Sequence, residues 1–215
     1  MTGPRSPRRR ADDTRRTELI TAARSVIAKE GVAAATTRRI TQEAGLPHGM
    51  FHYWFSGKEE LFEELIAEVV RELKEGVAAA VSSTEGGSDT SLRDHLRAAF
   101  DVVRRDEQVE PGRQLAIYEL TALALRTPAL RDMARRQYQA YQELTTTVIA
   151  PWLAAQDVDV PGGAEVLGKL IAVLFDGMVL AWLADPEGSD PDEVFALIDT
   201  LVASHRSASK ASIPG

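Results

Sequence analysis

Apolar residues recur at three- and four-residue intervals through most of the chain, and nowhere do they alternate with polar ones over the length of a strand. That pattern predicts an all-α protein. Across 12–30, Leu19, Ile20, Ala23, Val26 and Ile27 share one helical face, Asp12 and Asp13 put negative charge at the helix start, and Gly31 stops it. A second helix is expected over 36–44, capped by Thr36 and ended by Gly45. A third, short helix opens with Pro47 at its first position and turns Phe51 and Phe55 inward. Gly57 breaks the chain again, and from Lys58 an amphipathic run (Leu61, Phe62, Leu65, Ile66, Val69, Val70, Leu73, Val77) reaches about Val81.

The segment 82–90, SSTEGGSDT, has the composition of a loop. Helical patterns follow over 91–105, 112–126 and 128–155, divided by Pro111-Gly112 and Thr127-Pro128, and Pro151 should kink or shorten the last of them. After a loop at 157–163, residues 164–184 are apolar nearly all the way round. A helix of that kind has to be covered on both sides. A final amphipathic helix is expected over 191–205, and no internal repeat interrupts the series.

The chain of 215 residues, 44% hydrophobic and 27% charged, has the make-up of an ordinary soluble globular protein. It contains no cysteine, which excludes disulfides, thiol catalysis and Cys-based zinc sites. The opening MTGPRSPRRR is not followed by an apolar stretch, so no secretory signal is expected, and no run reaches the roughly 18 consecutive apolar residues of a membrane span. A cytoplasmic location follows as an expectation. The net charge of −7 argues against a nucleic-acid partner until its distribution is read. Residues 1–60 carry 11 Lys and Arg against 7 Asp and Glu, a balance of +4, while 61–215 carry 14 against 25, a balance of −11. A basic head on an acidic body points to a polyanion met by the head alone.

Two short helices joined by a glycine turn meet the requirements of helix-turn-helix reading, in which one helix braces on the backbone and the other enters the major groove. Three strings sharpen this: RxxLIxAARxVIxxxG over 16–31, TTRRITQEAGL over 36–46 and GMFHYWFSGKEELF over 49–62. Together they resemble the DNA-binding domain of TetR (tetracycline repressor) family transcriptional regulators. The rest of the chain resembles that family in layout only. The Pro, Gly, Ser and four arginines of 1–11 predict a flexible basic tail. The resemblance implies a three-helix DNA-binding domain (12–57) and a helical ligand-binding and dimerisation domain (58–206), with a flexible end expected over 207–215.

It also implies roles. Thr37 would contact phosphate, and Arg38 and Arg39 would project from the exposed side of the second helix, Arg38 reaching a guanine edge or a phosphate. Pro47, His48, Gly49 and Met50 fall on the family's base-reading positions. Gly49 would allow close backbone approach, His48 could donate or accept at a base edge, and Met50 either meets a thymine methyl or fills the core. Where the family commonly places Ser this chain has Pro47, so a capping hydroxyl is missing. His52 stands where a phosphate-binding tyrosine is common, and Tyr53 could assume that role while a protonated His52 adds a charge-assisted contact. Lys58 would hold phosphate from the start of the next helix. His48 and His52 also have a chelating i, i+4 spacing, but no third ligand stands beside them, so no metal and no cofactor are expected.

For the C-terminal half, Phe100, Tyr118, Leu123, Trp152 and Phe175 are the candidates to line a small-molecule cavity, with Glu119, Arg126 or Gln137 supplying polarity; ordinary core packing is the alternative for each. Leu167, Leu170, Leu174, Met178, Val194, Ile198 and Leu201 are the candidates for a homodimer seam, with Gly168 and Gly177 permitting close approach. The expectation is a homodimeric, nucleoid-associated regulator, most simply a repressor, binding a double-stranded palindromic operator, responding to a small molecule and not touching membrane. An all-helical small-molecule-binding protein whose DNA head has degenerated is the competing reading. A helical enzyme ranks third, for want of a nucleophile–base constellation.

Overall fold

The computed structural model describes residues 7–84 and 90–206. Its helices are α1 (Pro7–Glu30), α2 (Thr37–Glu43), α3 (Phe51–Trp54), α4 (Lys58–Thr84), α5 (Leu92–Val109), α6 (Arg113–Arg126), α7 (Arg131–Ala155), α8 (Gly163–Ala184) and α9 (Asp192–Ala203). Single 3-10 turns occupy Val32–Ala34, His48–Met50 and Pro128–Leu130. The only extended pairing among the described residues is an isolated bridge between Val158 and Arg206.

The first helix begins earlier than its apolar period does. Proline at the first helical position has its φ preset and loses no hydrogen bond, so the helix starts at Pro7 and carries Asp12 and Asp13 in its second turn. The expected tail therefore divides: 7–11 are helical, and 1–6, like 207–215, lie outside the described residues. Further on, α7 runs through Pro151 to Ala155, so the proline does not shorten it.

Contacts divide the chain into two compact units, one of Met1–Arg71 with Arg105–Gln137, the other of Glu72–Arg104 with Tyr138–Gly215. The first is built on one core. Leu19, Ala23, Val26 and Ile27 of α1, Ile40 of α2, Phe51 and Phe55 meet Leu61, Phe62, Leu65, Ile66 and Val69 of α4 and Ala116, Ile117, Leu120 and Ala124 of α6. Phe51 and Phe55 are fully buried, with ring centroids 5.7 Å apart, and truncating either to Ala would cost about 3–5 kcal/mol.

The second unit holds an aromatic cluster in which Phe100 meets Phe175, Trp182 and Phe195 at 6.0–6.2 Å, and Phe175 stacks on Phe195 at 5.6 Å. Trp152 is buried and its indole N–H donates to the Thr90 carbonyl at 2.9 Å. Within this unit α8 lies against α7 through Gly168, where a Cβ would stand 2.4 Å from Thr146 Oγ1. The close approach that Gly168 permits is thus inside the protomer, and Thr145 Oγ1 donates to the Gly168 carbonyl there at 2.7 Å. The most apolar 18 residues of α8 have a mean hydropathy of 2.0, so by length and composition this helix does pass the test for a membrane span, against the sequence expectation; polar Lys169 and Asp176 break the apolar run without lowering its mean enough. Only 22% of that window is buried.

Candidate nucleic-acid interface

The turn between α2 and α3 is fixed by backbone chemistry. Thr36 caps α2 by accepting the Arg39 N–H on Oγ1 at 3.1 Å. At the other end Gly45 adopts φ +66, its N–H donates to Gln42 at 3.1 Å, and Leu46 donates to Thr41 at 2.8 Å. This paired closure is a Schellman motif. Thr41 is buried, its hydroxyl returned to the Thr37 carbonyl at 2.9 Å. Pro47 then sits one position before the helical segment, not inside it. Its ψ of 137° is extended, and its carbonyl accepts the Met50 N–H at 2.9 Å, the part a capping residue plays. The recognition segment is accordingly one 3-10 turn followed by the single turn of α3.

Phe51 and Phe55 anchor that segment from beneath, which leaves Pro47, His48, Gly49, Met50, His52 and Tyr53 on its outer side. Tyr53 is 68% exposed and Met50 39%, so Met50 is not a core filler. A Cβ on Gly49 would meet nothing within 4 Å. Arg38 is exposed and makes no ion pair among the described residues. Arg39 does not project freely beside it. Its Nε donates to Glu30 at 3.0 Å and its Nη2 meets Glu30 at 2.6 Å and Glu43 at 2.9 Å, tying α2 to the end of α1. Hydrogen bonds from Ser25 and then Arg39 hold the Glu43 carboxyl below the usual range. Thr37 is half-buried, and Lys58 lies with its ammonium 5.8 Å from the Phe62 ring centroid.

Sequence reasoning missed the residue that fastens this segment to α4. Arg16 of α1 donates from Nε to Glu64 at 2.8 Å and from Nη2 to Glu60 at 2.8 Å, donates also to the Trp54 carbonyl, and lies 4.3 Å over the Phe55 ring. Glu60 in turn accepts the Ser56 N–H and hydroxyl, each at 2.8 Å. The Ser56 backbone bond, then Arg16, push its carboxyl down to about 2. Arg16 and Glu60 are 44 positions apart and belong to unrelated apolar periods, so only the fold brings them together.

The other predicted residues are dispersed. Phe100, Trp152 and Phe175 belong to the second unit, Tyr118 and Leu123 to the first, where both are half-buried on α6. Of the polar candidates, Gln137 is buried and accepts the Thr121 hydroxyl at 3.1 Å, Glu119 accepts the Val32 N–H at 2.6 Å, and Arg126 is exposed. In α8 and α9, Leu167 and Ile198 are buried, Leu174 and Met178 are half-buried, and Leu170, Val194 and Leu201 are exposed. Val166, Val173, Leu180 and Leu197, outside the set expected for the seam, are exposed as well. A further polar pair appears where Tyr138 donates its hydroxyl to Asp176 at 2.6 Å, and burial followed by that carboxylate raises the phenol.

Comparison with known proteins bears on both halves. The family model described as bacterial regulatory proteins, tetR family, matches residues 19–65, and that described as the tetracyclin repressor-like C-terminal domain matches 90–204. The chain is 29% identical over 178 residues to the HTH-type nicotine-responsive transcriptional repressor HdnoR of Paenarthrobacter nicotinovorans, covering 82% of this chain and 87% of that one. It is 25% identical over 188 residues to the HTH-type transcriptional regulator BetI of Vibrio atlanticus, covering 87% and 89%. Among solved structures, the multidrug binding protein EbrR complexed with imidazole superposes with a TM-score of 0.61 at 25% identity, over 94% of this chain and 97% of that one.

Proposed function

The chain belongs to the TetR family of bacterial regulatory proteins, and from that membership we propose how this member reads DNA and answers a ligand. It is a DNA-binding, ligand-responsive transcriptional regulator and not an enzyme. It acts as a repressor in the cytoplasm, at the nucleoid. The observation that carries the reading is the division of the recognition segment. Phe51 and Phe55 are locked in the core while His48, Gly49, Met50, His52, Tyr53 and the neighbouring Arg38 stand open to a major groove. Thr37 and Lys58 supply phosphate contacts that set the register, Pro47 holds the entry to the segment, and Arg39 braces α2 for Arg38.

Two copies are needed to read a palindrome, and α8 with α9 supply the surface for pairing. Leu170 and Val173 of α8 are more than half exposed, as are Leu197 and Leu201 of α9, and Gly177 leaves open space beside them. A second copy related by a two-fold axis covers such a surface with its own equivalent. A bilayer is the weaker occupant, because the opposite face of α8 is already packed within its unit by Leu167, Ile171 and Val179. The effector is a small organic molecule, a reading supported by the nicotine in one relative's name and the imidazole in another's structure. Phe100, Trp152 and Phe175 are its first candidates for contact in the second unit, and Tyr118 and Leu123 on α6.

The test is selection of genomic fragments by the purified protein, followed by binding to the selected DNA at several salt concentrations. The expected result is a palindromic consensus whose affinity falls with slope of about −0.9 per phosphate neutralised. Binding without sequence preference would favour a small-molecule-binding protein with a degenerate head.

A further inference from the structure

The connector between α1 and α2 is held by a side chain from outside the three helices of the head. Val32 donates its N–H to Glu119 Oε2 on α6 at 2.6 Å, whereas the N–H groups of Ala34, Ala35 and Thr36 find acceptors within the connector itself, at 2.7–3.2 Å. Gly31 makes the approach possible. It sits at φ +84, and a Cβ there would stand 3.2 Å from the same carboxylate oxygen. Seven residues before Glu119, Gly112 opens α6 at φ +87, so close to α1 that a Cβ would lie 2.2 Å from the Ala28 carbonyl oxygen. Beside it Arg24 Nε meets Glu110 Oε2 at 3.0 Å. The last turn of α1 and the connector are thus gripped along about 10 Å of α6.

We propose that Glu119 is a positioning residue, through which α6 sets the α1–α2 connector and with it the placement of Arg38 and the recognition segment. Displacing α6 then relaxes operator selectivity without unfolding the head. The proposal rests on the reading of the head as a DNA interface. The geometry favours a sharp response, since a charge-assisted bond at 2.6 Å stops being a hydrogen bond after a shift of about 1 Å. The residue before Glu119 is Tyr118, one of the candidate ligand contacts, so any rearrangement of α6 around a small molecule there carries the carboxylate with it. Thr36, the cap of α2, and Arg38 follow the connector directly, which makes them the first groups to move when Val32 is released.

The experiment compares wild type, Glu119→Ala, Glu119→Gln and Arg38→Ala on DNA selected by the wild type and on random-sequence DNA of equal length. Amide exchange over 31–36 and melting temperature are measured alongside. Glu119→Ala should lower the operator-to-random affinity ratio ~10-fold, about 1.4 kcal/mol, and speed exchange at Val32. Glu119→Gln, whose amide oxygen still accepts the Val32 N–H, should restore most of both. An unchanged ratio in Glu119→Ala, with Arg38→Ala impaired, overturns this proposal alone. So does a Glu119→Gln protein as defective as Glu119→Ala with an equal drop in melting temperature, since that is the mark of a merely structural residue. No preference for any operator in wild type, or undiminished DNA affinity in Arg38→Ala, overturns the reading of the head and this proposal with it.

Discussion

Gly45 and Gly49 lie in one motif and serve different ends. Gly45 needs φ +66 for the closure of α2, and nothing crowds the place where its side chain would be, so the requirement is wholly one of backbone conformation. Gly49 has an ordinary φ and equally open surroundings, so the fold does not require a glycine there. Gly45→Ala should therefore cost about 1–2 kcal/mol of stability in denaturant unfolding. Gly49→Ala should leave the unfolding midpoint in place and weaken operator binding, as its methyl meets the DNA; full binding by Gly49→Ala would remove Gly49 from the interface. The two adjacent arginines divide in the same way. Arg38→Ala should cost about 1–3 kcal/mol of operator binding at unchanged stability, read by gel shift. Arg39→Ala, which breaks only ties to Glu30 and Glu43, should act chiefly on thermal stability. Their sequence neighbourhood does not distinguish them, because a charge on an outer helix face reads alike whether it meets solvent or a neighbouring helix.

Among the elements, the helices were legible from apolar period and from the glycines and prolines that interrupt it, while the clasps between them were not. Arg16 and Glu119 are cases in point: each is a charged residue at a position where a solvated one would serve the periodicity equally well. The start of α1 was misplaced for a related reason, since 7–11 have no apolar stripe to mark them and only Pro7 signals the helix. The clasp of Arg16 on α4 has a measurable signature. Glu60 titrates near 2 in the folded protein against an ordinary 4.5, so its contribution is complete above the unfolded value and is lost as pH falls from about 4.5 toward 2. Acid unfolding followed by tryptophan fluorescence, with Trp54 adjacent to the clasp, should show a transition that Glu60→Gln makes less steep in that window. Identical acid profiles would show that Glu60 adds nothing.

For the molecule as a whole, the apolar faces of α8 and α9 had to be covered, and the sequence pattern said so; which residues face inward depended on how α8 settles on its own unit. Leu167 and Ile198 turn into the protomer, leaving Leu170 and Leu197 as the most direct probes of pairing, at 53% and 59% exposed. Leu170→Asp combined with Leu197→Asp should yield a helical monomer by light scattering, with loss of operator binding. A persistent dimer would place the seam elsewhere. The first unit also draws its core from two separated stretches, Met1–Arg71 and Arg105–Gln137, with Ile27 and Leu65 sharing a core with Leu120. Such long-range closure slows folding, because the intervening chain must be looped before those contacts form. During synthesis the head leaves the ribosome before the α6 part of its core is made, so a polypeptide ending before residue 113 should have a less stable head and weaker operator binding than the full chain, read by thermal unfolding and gel shift.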